Sequence, residues 1–288
     1  MKIWTKTKWV VLMVLALAVM AAAAGCAKSE APKNEGNKTE TSEKAAGQAV
    51  KVAGSTSVQP LAEELAQAFM EKNQDIKVDV AGGGSSAGIK AAQNKTANIG
   101  TSSRELKPEE KASGLTENVI AKDGIAVVTH SSNNIPALTL DQIKKIYTGE
   151  IKNWKEVGGK DAPITVVNRD EASGTRGAFE EIVLGKGTKF VETAVIQNST
   201  GAVRTAVSQD ANAIGYISLG SLNNTVKAVK VEGVEATEAN VLNGSYKISR
   251  PFLFLTNGTP DEATKKFIDF VLSQDGQKIV GEEFVPVK

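Results

Sequence analysis

Histidine and cysteine are nearly absent. The 288-residue chain has one of each, His130 and Cys26. Zinc sites, haems, iron–sulfur clusters and disulfide frameworks need several such ligands, so no metal and no cofactor is expected. A Ser–His–Asp or Cys–His enzyme would have only His130 to use as its base. Charge of one sign is also lacking. Thirty-four basic groups face 33 acidic ones, whereas a nucleic-acid binder normally carries clustered Lys and Arg and a high pI. What is present in ordinary amount is apolar residues, at 41%, enough to exclude disorder of the whole chain.

The N-terminus reads as an export signal. Lys2, Lys6 and Lys8 precede an apolar run from Trp9 to Ala24 that ends in small residues. Its 16 residues fall short of the roughly 20 needed to span a bilayer, and the pattern is that of a secretory signal peptide over residues 1–25. Ala23-Ala24-Gly25-Cys26 has the form of a bacterial lipobox, with Ala23 where Leu is commoner. Cys26 is therefore the expected lipidation site and mature N-terminus. Residues 26–48 are polar and nearly charge-balanced, with almost nothing to bury, and read as a flexible tether. Loss of the signal removes three lysines and leaves 31 basic against 33 acidic groups.

From Ala49 onward short apolar runs alternate with amphipathic stretches. Strands are expected at Val50–Ala53, Ile76–Ala81, Ala97–Gly100, Ile125–Thr129, Ile164–Asn168, Ala213–Ser218 and Pro251–Leu255. Helices are expected at Val58–Lys72, Ala87–Gln93, Leu140–Tyr147, Thr175–Leu184 and Ala202–Gln209. A further helix runs to Leu272 from a capping box at Thr259-Pro260-Asp261-Glu262. The alternation predicts an α/β fold with mainly parallel sheets, and its length fits two lobes better than one core.

The turns between strands and helices carry the chemical information. They read Gly54-Ser55-Thr56-Ser57, Gly82-Gly83-Gly84-Ser85-Ser86, Gly100-Thr101-Ser102-Ser103, Ser173-Gly174-Thr175 and Asn198-Ser199-Thr200-Gly201. Each sets hydroxyls and free amides where a helix N-terminus favours an anion. Singly each is an ordinary turn or cap; together they suit one small, acceptor-rich ligand. Arg169 lies four residues before Ser173 and offers a fork for two oxygens. Gly82-x-Gly84-x-x-Ala87 matches a dinucleotide fingerprint, but the acid wanted after the next strand is poorly placed.

These motifs, with Leu140–Gly149 and Trp154, resemble the phosphate-binding lipoproteins of bacterial ABC-type phosphate importers across residues 49–288. The resemblance implies a two-lobed, periplasmic-binding-protein-like α/β fold with ligand in the hinge cleft. Lobe I would comprise 49–124 plus 253–288 and lobe II 125–252, with crossings near Ile125–Thr129 and Ser249–Phe254. It implies phosphate contacts from Thr56, Ser57, Ser85, Ser103, Arg169, Ser173, Gly174 and Thr175, with Glu171 holding Arg169. It implies no catalysis. The partners would be inorganic phosphate, an ABC permease and, through lipid on Cys26, the extracytoplasmic face of the cell membrane; a monomer suits such docking. The chain departs from the family where the best-known members place a proton-accepting aspartate: Ser103 stands there. A serine accepts the phosphate proton but does not repel sulfate, and Glu105 and Asp170 are the neighbouring carboxylates. The alternative readings are a receptor for another tetrahedral oxyanion, sulfate or molybdate, and an exported phosphatase.

Overall fold

The computed structural model describes residues 48–288. The signal segment, Cys26 and nearly all of the tether lie outside the described residues.

The first half contains β1 (Gln48–Gly54), α1 (Gln59–Lys72), β2 (Ile76–Gly82), α2 (Ser85–Gln93), β3 (Ile99–Ser102), the short α3 (Pro108–Lys111), β4 (Leu115–His130), β5 (Ala137–Leu138) and α4 (Leu140–Thr148). Then follow β6 (Thr165–Arg169), α5 (Gly174–Phe179), β7 (Val195–Gln197), α6 (Thr200–Gln209), β8 (Ala213–Ser218), β9 (Val226–Ala228), β10 (Lys230–Val231) and α7 (Glu238–Leu242). The chain finishes with β11 (Ser249–Asn257), α8 (Glu262–Val271) and α9 (Gln274–Val280).

Local sequence explains most boundaries. In α1, Leu61, Leu65 and Phe69 recur at helical spacing and are buried, Pro60 occupies the first turn, and the Asn73 amide donates to the Phe69 carbonyl at 2.9 Å to end it. The α8 cap corrects the expected frame: the N-cap is Asp261, whose carboxylate accepts from the Thr264 amide at 2.8 Å, two residues after Thr259. A carboxylate at the positive helix end is a strong cap. The expected helix Thr175–Leu184 is α-helical only to Phe179, and Glu180–Leu184 is wound as a π-helix.

The main sheet runs β2-β1-β3-β11-β4-β8-β6-β7, with β9 also on β4. Its flanks are parallel: β1 with β2 and β3, and β6 with β7 and β8. Its centre is antiparallel, since β11 opposes both β3 and β4, and β4 opposes β8. The sheet is thus mixed rather than mainly parallel. β4 pairs with β11 over Leu115–Gly124 and with β8 over Ile125–Thr129, changing partner between Gly124 and Ile125.

Separate apolar cores cover the two flanks. Of the two larger ones, the first gathers Val50, Val52, Leu61, Phe69, Phe254 and Phe267 and the second Ile125, Ile146, Tyr147, Trp154, Phe179 and Tyr216. The long β4 feeds both, with Ile120 and Ala121 in the first and Ile125 and Val127 in the second. At about 1.5–3 kcal/mol per fully buried large apolar side chain, each core holds its flank firmly.

Candidate functional site

Five loops leave the carboxyl ends of parallel strands, where α/β sheets place their ligands. After β1 comes Ser55-Thr56-Ser57; after β2, Gly83-Gly84 and the first residue of α2, Ser85; after β3, Ser103. From the other flank come Arg169 with the Ser173-Gly174-Thr175 turn after β6, and Asn198-Ser199-Thr200 after β7.

Hydrogen bonds show that the two sets meet. Ser57 Oγ lies 2.9 Å from Thr175 Oγ1 and 2.8 Å from Thr200 Oγ1. The Thr200 amide donates to Thr56 Oγ1 at 3.3 Å. Arg169 donates through Nη2 to Thr56 Oγ1 at 3.3 Å and through Nη1 to Thr200 Oγ1 at 3.4 Å. Ser55 Oγ donates to Ser103 Oγ at 2.8 Å, and the Ser103 amide donates to Ser85 Oγ at 3.0 Å. Ser57, Ser85, Ser103, Arg169, Ser173 and Thr175 are all buried, and Thr56 is half-buried.

Two glycines permit this approach. A Cβ on Gly174 would run into the hydroxyls of Ser85 and Ser103. Gly84, at φ +92°, would place a Cβ 2.7 Å from the Ala172 carbonyl oxygen, next to the hydrogen bond from the Ser86 amide to that same oxygen at 3.1 Å. Larger residues at either position would hold the flanks apart. Beside the loops opens a cleft of about 840 Å³, lined by residues of both flanks that include Arg104, Lys107, Ser173 and Arg176.

The electrostatics single out Arg169. It is 1% exposed, and among the described residues no carboxylate pairs with it. Its remaining donors go to neutral oxygens: Nε to the Gln197 carbonyl at 3.2 Å and Nη2 to the Asn198 carbonyl at 3.3 Å. Burial pushes its pKa down from the ordinary arginine value. The site therefore combines one buried cation that no carboxylate hydrogen-bonds with a cluster of hydroxyls, a donor set that stabilises an oxyanion.

The expected supporting role of Glu171 is not what the structure shows. Glu171 is exposed and makes no bond to Arg169; the guanidinium is held instead by the carbonyls after β7. Thr200 belongs to the cluster as well, beyond the contacts that the resemblance implies; its sequence signal is the hydroxyl-rich loop before α6. Ser103 has hydroxyls as neighbours. Of the nearby carboxylates, Glu105 is exposed and lies 3.7 Å from Lys111, while Asp170 has a buried Oδ1 that accepts no hydrogen bond from the described residues.

Two parallel flanks joined through long shared strands, with ligand loops meeting between them, define the two-lobed periplasmic-binding-protein architecture. A model of the PBP superfamily domain matches residues 38–275. The phosphate-binding protein PstS of Bacillus subtilis (strain 168) is 34% identical over 252 residues, 85% of this chain and 82% of that protein. The PstS of Borreliella burgdorferi is 34% identical over 263 residues, 87% of this chain and 93% of that protein. A substrate-binding protein from Clostridium perfringens, solved with bound phosphate, is 50% identical with a TM-score of 0.82, covering 84% of this chain and 100% of that one. The chain belongs to the PBP superfamily and, within it, to the PstS family of binding proteins.

Proposed function

We propose that this protein captures inorganic phosphate between its two lobes and delivers it to an ABC permease, acting as a binding protein and not as an enzyme. The carrying observation is Arg169: a buried guanidinium without a carboxylate, ringed by hydroxyls from both flanks. A phosphate dianion supplies the missing negative charge, and its oxygens accept from donors fixed in advance, which lowers the reorganisation cost of binding. The relatives support the reading, since two of them are named phosphate-binding proteins and a third was solved with phosphate bound.

In this reading Thr56, Ser57, Ser85, Ser103, Ser173, Gly174 and Thr175 contact the anion together with Arg169, and Thr200 joins them. Lobe I comprises 49–124 with 253–288 and lobe II 125–252, hinged where β4 changes partner. The mature chain is an extracytoplasmic monomer anchored through lipid on Cys26, with residues 26–48 as the tether. Among the described residues no helix is long and apolar enough to cross a membrane.

Ser103 favours a second reading, a general tetrahedral-oxyanion receptor, because no carboxylate touches its hydroxyl to repel a fully ionised sulfate. Calorimetric titration of ligand-stripped protein lacking residues 1–26, with phosphate and then sulfate, separates the two. Tight phosphate binding with weak sulfate binding is expected. Comparable binding of both establishes the broader receptor, and binding of neither overturns the assignment.

A further inference from the structure

A second arginine lies beneath the site and takes no part in the anion cluster. Arg250, in β11, stands directly opposite Asp123, in β4, in the antiparallel register. Both side chains are closed off from solvent, at 1% and 0% exposure. Arg250 Nε and Nη2 donate to Asp123 Oδ2 at 3.0 and 2.9 Å. The other carboxylate oxygen, Oδ1, accepts from Ser218 Oγ at 2.9 Å and from the Leu219 amide at 3.1 Å. Four donors on two oxygens satisfy the carboxylate, and the pair carries no net charge.

One donor of the fork is left over, and it points at the site loop: Arg250 Nη1 donates to the Ser103 carbonyl at 3.1 Å. The rest of Ser103 belongs to the hydroxyl cluster, through the bonds of its amide and its Oγ. A chain of contacts thus runs from Ser103 through Arg250 and Asp123 to Ser218 and Leu219, at the end of β8. It begins on one flank, crosses β11 and β4 beside the point where β4 changes partner, and finishes on the other.

We propose that Arg250 is a positioning residue for the anion site. Neutralised by Asp123, its planar fork fixes the Ser103 peptide and ties the loop after β3 to the strand junction between the lobes. Geometry makes the arginine specific, since an ammonium at this position can pair with Asp123 but cannot also hold a carbonyl on the far side of a rigid fork. The inference rests on the phosphate reading above, because Ser103 matters only if its loop contacts the ligand.

The test is Arg250→Lys in otherwise wild-type mature protein, with three readouts: phosphate affinity by calorimetry, phosphate dissociation rate, and melting of the ligand-free form. The variant is expected to melt cooperatively and to bind phosphate about tenfold or more weakly, the size of one charge-assisted hydrogen bond, with most of the change in the dissociation rate. A residue with only a structural role would lower the melting temperature and leave the affinity of the folded protein unchanged. Phosphate binding within twofold of wild type therefore overturns the proposal. Hydrogen exchange on the wild-type protein gives a check that needs no variant. Phosphate saturation is expected to slow exchange at the Leu219 amide, which lies outside the anion cluster; no added protection there overturns the tie. Absence of phosphate binding by the wild-type protein overturns the phosphate reading itself and this inference with it.

Discussion

Arg250 and Arg169 are both withdrawn from water, and their surroundings differ in one respect. Arg250 faces the Asp123 carboxylate through two hydrogen bonds. Arg169 faces only hydroxyls and carbonyls. Taking an ion out of water costs several kcal/mol, and a close counter-ion offsets that cost. At the strand junction the counter-ion is built into the chain, so the charge there serves the architecture. At the loops no carboxylate of the described residues bonds to the guanidinium, and on the proposed reading the ligand supplies the counter-ion. Two arginines in one sheet show that burial alone does not tell a charge neutralised within the chain from one that is not; the partner does.

The sharpest way to break this comparison is to remove each charge in turn. Arg169→Ala is expected to weaken phosphate binding by about 2–5 kcal/mol, the cost of truncating a buried charged partner, and calorimetry reads it directly. An unchanged Kd would remove Arg169 from the site. Stability should respond in the opposite sense. Arg250→Met strands the Asp123 carboxylate and is expected to cost about 3–5 kcal/mol, or roughly 6–20 °C in Tm for a chain of this size. Arg169→Met, which strands no hydrogen-bonded carboxylate, is expected to melt no lower than wild type without ligand. A large drop in Tm for Arg169→Met would show that the two arginines play the same role.

A smaller effect tests whether the flanks must close to make the site. Gly84→Ala adds a methyl group against the Ala172 carbonyl and requires a non-glycine residue at φ +92°. The backbone strain, of order 1–3 kcal/mol, is present with or without ligand and is expected as a lower Tm, while the clash across to Ala172 is expected to weaken phosphate binding. The smallest effect lies at the rim of the cleft. There the Arg104 guanidinium grips both oxygens of Glu110, at 2.7 and 2.8 Å. Burial acts to raise the Glu110 pKa, but the bonds from Arg104 and the Lys107 amide outweigh it, and the net shift is downward from 4.5. The unfolded chain therefore takes up this proton first as pH falls. The pair's contribution is complete above about pH 4.5 and vanishes as pH drops through the lower folded value. Melting curves between about pH 6 and pH 3 are expected to show a shallower acid-side loss for Glu110→Gln than for wild type.

Much of the site was legible because anion recognition leaves a local trace. Hydroxyls and glycines crowd the ends of short apolar runs, and the loops at Ser55–Ser57, Gly83–Ser85, Ser173–Thr175 and Asn198–Gly201 can be read without knowing what they face. The partner of Arg169 could not be read this way. Glu171 is two residues away in sequence, yet the carbonyls that hold the guanidinium belong to Gln197 and Asn198, and only the pairing of β6 with β7 brings them close. The first half of β4 is hidden in the sequence for a related reason. Thr116, Glu117, Asn118, Lys122 and Asp123 make it look polar, and its strand state depends on the ladder to β11 more than a hundred residues away. Asp123 in particular reads as a surface residue until Arg250 is placed opposite it.

Composition and local order in the sequence determined the alternation of strands and helices and the hydroxyl-rich turns, because each depends on residue type within a few positions. Tertiary structure alone decided the antiparallel centre of the sheet, which arginine keeps a carboxylate, and which flank each hydroxyl meets. Those outcomes depend on contacts between residues 28 to 147 positions apart, and such contacts are selected by the packing of apolar cores on shared strands rather than by any local preference of the chain.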